Sequence, residues 1–151
     1  MHPRVKTAID ALHPAFEMLL ACPPLTERSS MPRKGVYLFT EAGQHLYVGR
    51  SNNIPGRWSG HHNSKALHNS AAFAMLLARE ETSIYATYKP GSGRATLMSH
   101  DVFRPAFDRA KLRIARMEFR AVEEADQTRQ ALLEIYVAVA LEARYNDFGT
   151  H

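Results

Sequence analysis

Two tyrosines and two glycines occupy mirrored places in the stretch GVYLFTEAGQHLYVG, residues 35–49. Tyr37 follows Gly35 by two residues, and Tyr47 precedes Gly49 by two residues. Glycines within strands remove side chains and allow the backbone of a ligand to approach closely, so this pattern indicates a binding surface that carries two hydroxyls. The simpler interpretation is that the tyrosines are a cross-strand pair that stabilises the sheet by less than about 1 kcal/mol.

Two arginines follow this stretch. Arg50 comes directly after Gly49, and Arg57 lies in the segment SNNIPGRW, where Asn53 is predicted to cap a short helix with Pro55 in its first turn. On that helix Arg57 and His61 are four residues apart and therefore point the same way. The pattern alone also allows each arginine to be an ordinary surface charge.

A hairpin must position the two tyrosines. A three-residue loop of Glu41, Ala42 and Gly43, with Gly43 in the left-handed conformation, predicts that Tyr37 lies opposite Tyr47. The same register places Gly35 opposite Gly49. It leaves an aliphatic face for the core, formed by Val36, Leu38, Leu46 and Val48. A four-residue loop would mix polar and apolar partners on both faces, so we favour the three-residue loop.

The rest of the chain is mainly helical by its hydrophobic pattern. A helix over 3–20 is expected to kink or split at Pro14, and a connector follows over 22–34. The alternation of ARMEFRAVE predicts a half-buried strand within 115–123. Further helices are predicted over 71–80 (capped by Ser70), 101–112 and 126–143, and a further strand or extended piece over 82–89.

Composition limits the class of protein. The chain has 151 residues, a formal charge of +4 and one cysteine, Cys22. The positive charge favours a polyanionic partner, and a single cysteine excludes an intrachain disulfide and agrees with a reducing compartment. No apolar run has the length that spans a bilayer, and the N-terminus lacks the apolar centre of a secretory signal. We therefore expect a cytoplasmic protein with no membrane segment.

Residues 33–148 resemble the GIY-YIG nuclease superfamily, which is named for its paired tripeptides. The tripeptides read here Gly35-Val36-Tyr37 and Tyr47-Val48-Gly49. Arg50, Arg57, Glu134 and the pair Tyr145-Asn146 extend the likeness. The resemblance implies an α/β (α+β) fold with a small central three-stranded antiparallel sheet flanked by helices. Residues 1–32 would then be an N-terminal helical extension and connector, and 33–148 the nuclease domain.

The resemblance also implies a function, namely endonucleolytic hydrolysis of phosphodiester bonds in DNA with Mg²⁺ or Mn²⁺ as the cofactor. Glu134 would be the metal ligand, because one carboxylate can hold Mg²⁺ when phosphate and waters complete the octahedron. The implied catalytic residues are Tyr37, Tyr47, Arg57, His61, Glu134 and Asn146, with Tyr37 favoured over Tyr47 as the one nearer the attacking water. Nucleic-acid contacts are expected from Gly35, Gly49, Arg50 and Asn53.

Three alternatives stay open at this point. The chain could be a nucleic-acid-binding module of the same fold without turnover, or a structural protein whose hairpin only looks like the motif. The histidines at 61, 62 and 68 could instead form a zinc site. The absence of nearby cysteines makes this interpretation weaker than that of a solvated polar loop. Because one active centre cuts one strand, double-strand cleavage would need a dimer or two encounters.

The final predicted helix contains ALLEIYVAVAL, residues 131–141, in which Glu134 is the only charged side chain. A helix that is apolar all round is expected to be buried. A buried Glu134 would need compensation, either from a divalent cation or from an arginine or lysine on a neighbouring element.

Overall fold

A three-stranded antiparallel sheet is the centre of the computed structural model, which describes residues 1–148. Strand β1 (Gly35–Glu41) lies between β2 (Gln44–Ser51) and β3 (Glu118–Glu123). Helices flank the sheet, and two of them precede it in the chain. The fold class predicted from the sequence is confirmed.

Seven α-helices occur in the described residues. They are α1 (Pro3–Asp10), α2 (His13–Ala21), α3 (Ile54–His62), α4 (Ala72–Thr82), α5 (Arg94–Leu97), α6 (Phe103–Ala115) and α7 (Gln127–Ala140). A short 3-10 helix spans Arg28–Ser30. Across residues 1–148, no helix has the length and apolar character needed to cross a membrane.

The predicted split of the N-terminal helix is confirmed. Helix α1 ends at Asp10 and α2 begins at His13, so Pro14 occupies the first turn of α2. Proline is tolerated there because the N–H group that it lacks would have no partner within the helix.

The aliphatic face of the sheet forms the core, as the alternation predicts. Val36, Leu38 and Val48 are buried on this face, and Val122 of β3 joins them. Leu133 and Val137 of α7 pack against them, and Leu12 and Leu19 extend the same cluster. Burial of these side chains fixes α7 and α2 on the sheet.

The predicted register of the hairpin is wrong. The loop has two residues, Ala42 and Gly43, both with positive φ (49° and 77°), and Glu41 therefore lies opposite Gln44. This conformation is that of a type I′ turn, whose twist matches the flanking strands. An irregularity then shifts the register between Phe39 and Thr40, so that Tyr37 lies opposite Gly49 and not opposite Tyr47.

The two tyrosines nevertheless share a face of the sheet, as expected. Tyr47 lies opposite Phe39, which is two residues from Tyr37, and an offset of two residues keeps side chains on the same face. The ring centroids of Tyr37 and Tyr47 are 6.5 Å apart.

Both glycines of the motif have a packing role in the structure. A Cβ atom at Gly49 would collide with the ring and hydroxyl of Tyr37. A Cβ atom at Gly35 would collide with the carbonyl oxygen of Val122 on β3. Gly49 is therefore required so that the Tyr37 ring can lie across β2, and Gly35 so that β1 and β3 can approach closely.

The chain divides into two compact units, Met1–Gly56 with Glu118–His151, and Arg57–Met117. Helix α3 begins in the first and ends in the second. In the second unit α4 packs against α6, and the side chains buried there include Phe73, Ala74, Leu77, Phe103, Phe107 and Ala110. The domain division at residue 32 stays a prediction.

Two local predictions are wrong, and a third is wrong in part. Ser70 does not cap α4, because the N-cap position is Ala71 and makes no side-chain hydrogen bond. Of the two alternatives for residues 82–89, the strand is absent, which leaves the extended piece. Helix α7 is not buried all round: Ile135 is 46% exposed and Val139 is 68% exposed, since only one side of the helix packs against the sheet.

Candidate active site

The tyrosine pair lies in an aromatic cluster on the face of the sheet opposite α7. The ring of Tyr37 packs edge-on against Phe39, with centroids 6.0 Å apart, and tilted against Phe119 at 5.5 Å. Tyr37 is buried, whereas Tyr47 is partly exposed. Packing thus fixes the Tyr37 ring in one position and leaves the Tyr47 ring accessible.

Arg50 and Glu134 form an ion pair between β2 and α7. The Arg50 Nε donates to the Glu134 Oε2 at 3.1 Å. The side chain of Glu134 is 22% exposed and that of Arg50 is 42% exposed. The arginine partner considered in the sequence for Glu134 is therefore present, but it reaches into water and is not a buried cation.

Glu134 still lacks full charge compensation. Burial raises the pKa of its carboxyl above the ordinary value, and this effect exceeds the lowering by the charge and the hydrogen bond of Arg50. A second cation at this carboxylate would therefore be favourable. The donor set fits Mg²⁺ or Mn²⁺, which bind through one or two carboxylates and keep several waters.

No larger ligand set for a metal occurs in the part of the chain that the structure describes. Within residues 1–148, no group of three or more His, Cys, Asp and Glu side chains could hold a metal ion. His61, His62 and His68 therefore do not form a three-ligand zinc site. A divalent cation at Glu134 could complete its coordination with substrate oxygens and water.

Asn146 pairs with the backbone of β2. Its Oδ1 accepts from the Val48 N–H at 2.7 Å, and its Nδ2 donates to the Val48 carbonyl at 2.8 Å. Val48 stands between Tyr47 and Gly49 in the second tripeptide of the motif. The amide thus fixes the strand that carries Tyr47, and a catalytic role for Asn146 stays a prediction.

The local predictions for α3 are confirmed. Asn53 caps the helix, because its Oδ1 accepts from the Gly56 N–H at 3.3 Å. Arg57 and His61 meet on one side of the helix, with the Arg57 Nη2 at 3.4 Å from the His61 Nε2. The other guanidinium nitrogen, Nη1, donates to the carbonyl of Ser70 at 3.2 Å. The Arg57 side chain is therefore held in a defined direction.

His61 is neutral at physiological pH. Burial, then the neighbouring Arg57 and His62, lower the pKa of its imidazole from 6.5 to about 3. Such a group does not exchange protons near neutrality. Its contact with Arg57 indicates a positioning role, and a catalytic role for His61 stays a prediction.

The lowered pKa of His61 predicts a pH dependence of stability. Unfolded His61 takes up a proton as pH falls through 6.5, whereas the folded protein excludes it down to about 3. The free energy of unfolding should therefore fall on acidification by up to about 1.4 kcal/mol per pH unit from this group alone. We expect His61→Gln to remove this part of the slope.

Urea unfolding of both proteins between about pH 8 and about pH 4 measures the difference. Above the ordinary histidine pKa the two slopes should agree, which serves as an internal control. Equal slopes throughout the acidic range would contradict the lowered pKa of His61.

The sequence interpretation missed a polar network beside the ion pair. Asn52 and Gln127 form a reciprocal amide pair, with hydrogen bonds of 3.1 and 2.7 Å. The buried Gln130 donates to the Asn52 Oδ1 at 3.1 Å and to the Glu124 carbonyl at 2.6 Å. The signal in the sequence was the recurrence of polar side chains at 127, 130 and 134 on one side of α7.

The predicted site residues thus form four separate groups. These are the pair Tyr37 and Tyr47, the ion pair of Arg50 and Glu134, Asn146 with the Val48 backbone (the Asn146 clamp), and Arg57 with His61. Comparison with known protein families gives one match, to the GIY-YIG catalytic domain over residues 33–95. Curated proteins and solved structures give no match. The predicted likeness to the GIY-YIG nuclease superfamily is therefore confirmed over residues 33–95. Glu134 and Asn146 lie outside that segment.

Proposed function

We propose that the protein is a divalent-metal-dependent endonuclease that hydrolyses phosphodiester bonds in DNA. The observation that carries the proposal is the pair of tyrosines on one face of the sheet, within the segment that matches the GIY-YIG catalytic domain. The metal dependence is supported by Glu134, whose carboxylate is only partly compensated by Arg50 and would gain from a second cation beside it. A cytoplasmic location agrees with the single free cysteine.

Hydrolysis of a phosphodiester needs an attacking water, relief of charge on the phosphoryl oxygens and a proton for the leaving oxygen. A bound Mg²⁺ or Mn²⁺ would supply charge neutralisation, and Glu134 is the residue that would hold it. Arg57 would neutralise the phosphoryl oxygens, directed by Ser70 and His61. Tyr37 would relay the proton of the attacking water, with Tyr47 in support.

The alternative is a nucleic-acid-binding module without turnover. The ion pair favours it, because Arg50 already engages one oxygen of Glu134. In that case Glu134 would only stabilise the packing of α7 on β2. The two proposals agree on nucleic-acid binding and differ in the response to divalent metal.

Supercoiled plasmid tests the proposed function. We expect the purified protein to convert it to the nicked form with Mg²⁺ or Mn²⁺, and not with a chelator. One active centre cuts one strand, so the nicked form should precede the linear form unless the protein is a dimer. Slower migration of the plasmid in a gel-shift assay, without nicking in either metal, would instead support a nucleic-acid-binding module without turnover.

A further inference from the structure

Positive charge is concentrated in the second unit. Residues 57–117 contain ten lysines and arginines against four aspartates and glutamates, a formal charge of +6, and the remainder of the chain carries −2. Among these acids, Glu81 pairs with Arg109 at 2.6 Å and Asp108 pairs with Arg104 at 3.1 Å. Such an excess attracts a polyanion through release of its counterions.

This unit also exposes two aromatic rings on one segment, residues 83–94, which we call the tyrosine loop. Tyr88 is 91% exposed and Tyr85 is 53% exposed. The segment SIYATYKPGSGR contains Lys89 and Arg94 and no acidic residue. Exposed aromatic side chains between basic ones are the arrangement that binds single-stranded nucleic acid, because bases stack on the rings while cations contact the phosphates.

Hydrogen bonds hold the tip of the tyrosine loop in one conformation. The Thr87 N–H donates to the Ser92 carbonyl at 2.7 Å, and the Ser92 N–H donates to the Lys89 carbonyl at 3.1 Å. Between them Pro90 and Gly91, with φ of 80° at Gly91, make the turn. Tyr88 and Lys89 are therefore presented to solvent by an ordered turn, which lowers the entropy lost on binding.

The second ring is already part of a stack. The guanidinium of Arg79 lies over the Tyr85 ring, 4.2 Å from its centroid. This cation–π contact covers one side of the ring and adds positive charge beside it. At the end of the loop, Arg94 Nη2 donates to the His68 carbonyl at 3.3 Å and anchors the segment.

We propose that the tyrosine loop binds a single-stranded segment of DNA, with an unpaired base stacked on Tyr88 and a phosphate beside Lys89. An unpaired base is required because the faces of paired bases in a duplex are covered by their neighbours. The inference that the strand is DNA rests on the proposed function. The proposal for the tyrosine loop narrows the substrate of the enzyme to DNA that carries unpaired nucleotides.

Binding without metal tests this proposal. Fluorescence anisotropy of a labelled single-stranded DNA oligonucleotide, in a chelator, should give about tenfold weaker binding for Tyr88→Ala than for the parent protein. Tyr88→Phe keeps the ring and should bind like the parent. Lys89→Gln should lower the salt dependence of log K by about 0.7, the contribution of one phosphate contact on a single strand.

Leu112→Ala is the matched control, because Leu112 is 61% exposed on α6 in the same unit, and it should bind like the parent. The duplex of the same sequence should bind more weakly than the single strand and be insensitive to Tyr88→Ala. Unchanged single-strand affinity of Tyr88→Ala, or an equal loss in Tyr88→Phe, would overturn the proposal. Binding is measured in chelator, so its result does not depend on cleavage. A failure of plasmid nicking would therefore contradict the proposed function and leave the binding result as it is.

Discussion

Replacement of Glu134 by glutamine is expected to abolish metal-dependent nicking, while the protein still folds and still binds DNA. The amide keeps the shape of the side chain and removes the charge that would hold a divalent cation. Because burial raises the pKa of Glu134, its ionised form costs stability at neutral pH, and that cost is absent below the ordinary pKa. The neutral side chain should therefore be tolerated well.

The exposure of Arg50 decides the stability of this variant. A buried cation left without its partner would cost about 3 to 5 kcal/mol. The Arg50 side chain is 42% exposed and remains hydrated without Glu134, so loss of the pair should cost no more than about 1 kcal/mol. Thermal unfolding, plasmid nicking and DNA binding in chelator are measured side by side.

Glu124→Gln provides a matched control. Glu124 pairs with Arg129 at 2.7 Å, and the exposures of 13% and 43% resemble those of Glu134 and Arg50. This variant should lose an ion pair and keep nicking. A destabilised Glu134→Gln protein with normal nicking would show that Glu134 is a structural partner of Arg50, and the metal-ligand assignment would be wrong.

Tyr37→Phe is expected to lower the rate of nicking by about two orders of magnitude, the effect of losing a group that relays a proton. The variant should fold normally, because the ring contacts with Phe39 and Phe119 do not involve the hydroxyl. Packing over Gly49 fixes the ring, so the hydroxyl has a defined position. Single-turnover nicking with saturating protein measures the loss without a contribution from binding.

Tyr47→Phe is the natural comparison, since Tyr47 lies on the same face and is partly exposed. A supporting role predicts a smaller loss than in Tyr37→Phe. The opposite order would transfer the proton relay to Tyr47. Equal activity of Tyr37→Phe and the parent protein would remove Tyr37 from the mechanism.

The fold class followed from the sequence, but the register of the hairpin did not. The type I′ turn requires positive φ at both loop residues, and alanine disfavours that conformation at position 42. The propensities of Ala42 and Gly43 therefore pointed to a longer loop. The register then shifts between Phe39 and Thr40. The hydrophobic pattern does not reveal this shift, because Leu46 fits the aliphatic face of the predicted register equally well.

Contacts within one helix were predictable, and contacts between distant segments were not. The Asn53–Gly56 and Arg57–His61 contacts occur at helical spacing, where the partner is set by the geometry of α3. The partner of Glu134 is 84 residues away in the chain, and many arginines could have met the same need. The exposed side of α7 was missed for a related reason: apolar content does not tell which side of a helix faces the sheet.

The Asn146 clamp also has a consequence for the solubility of the protein. Strand β2 lies at an edge of the sheet, where unpaired backbone groups invite a strand from another molecule. Asn146 occupies both polar groups of Val48, and the Tyr145 N–H donates to the Leu46 carbonyl at 2.9 Å. The other edge, on β3, receives the Leu25 N–H at the Phe119 carbonyl. The segment around Tyr145 thus covers part of the β2 edge, and we expect an Asn146 variant to aggregate more readily than the parent protein. The solubility of such a variant has to be measured before a loss of its activity is assigned to the chemistry.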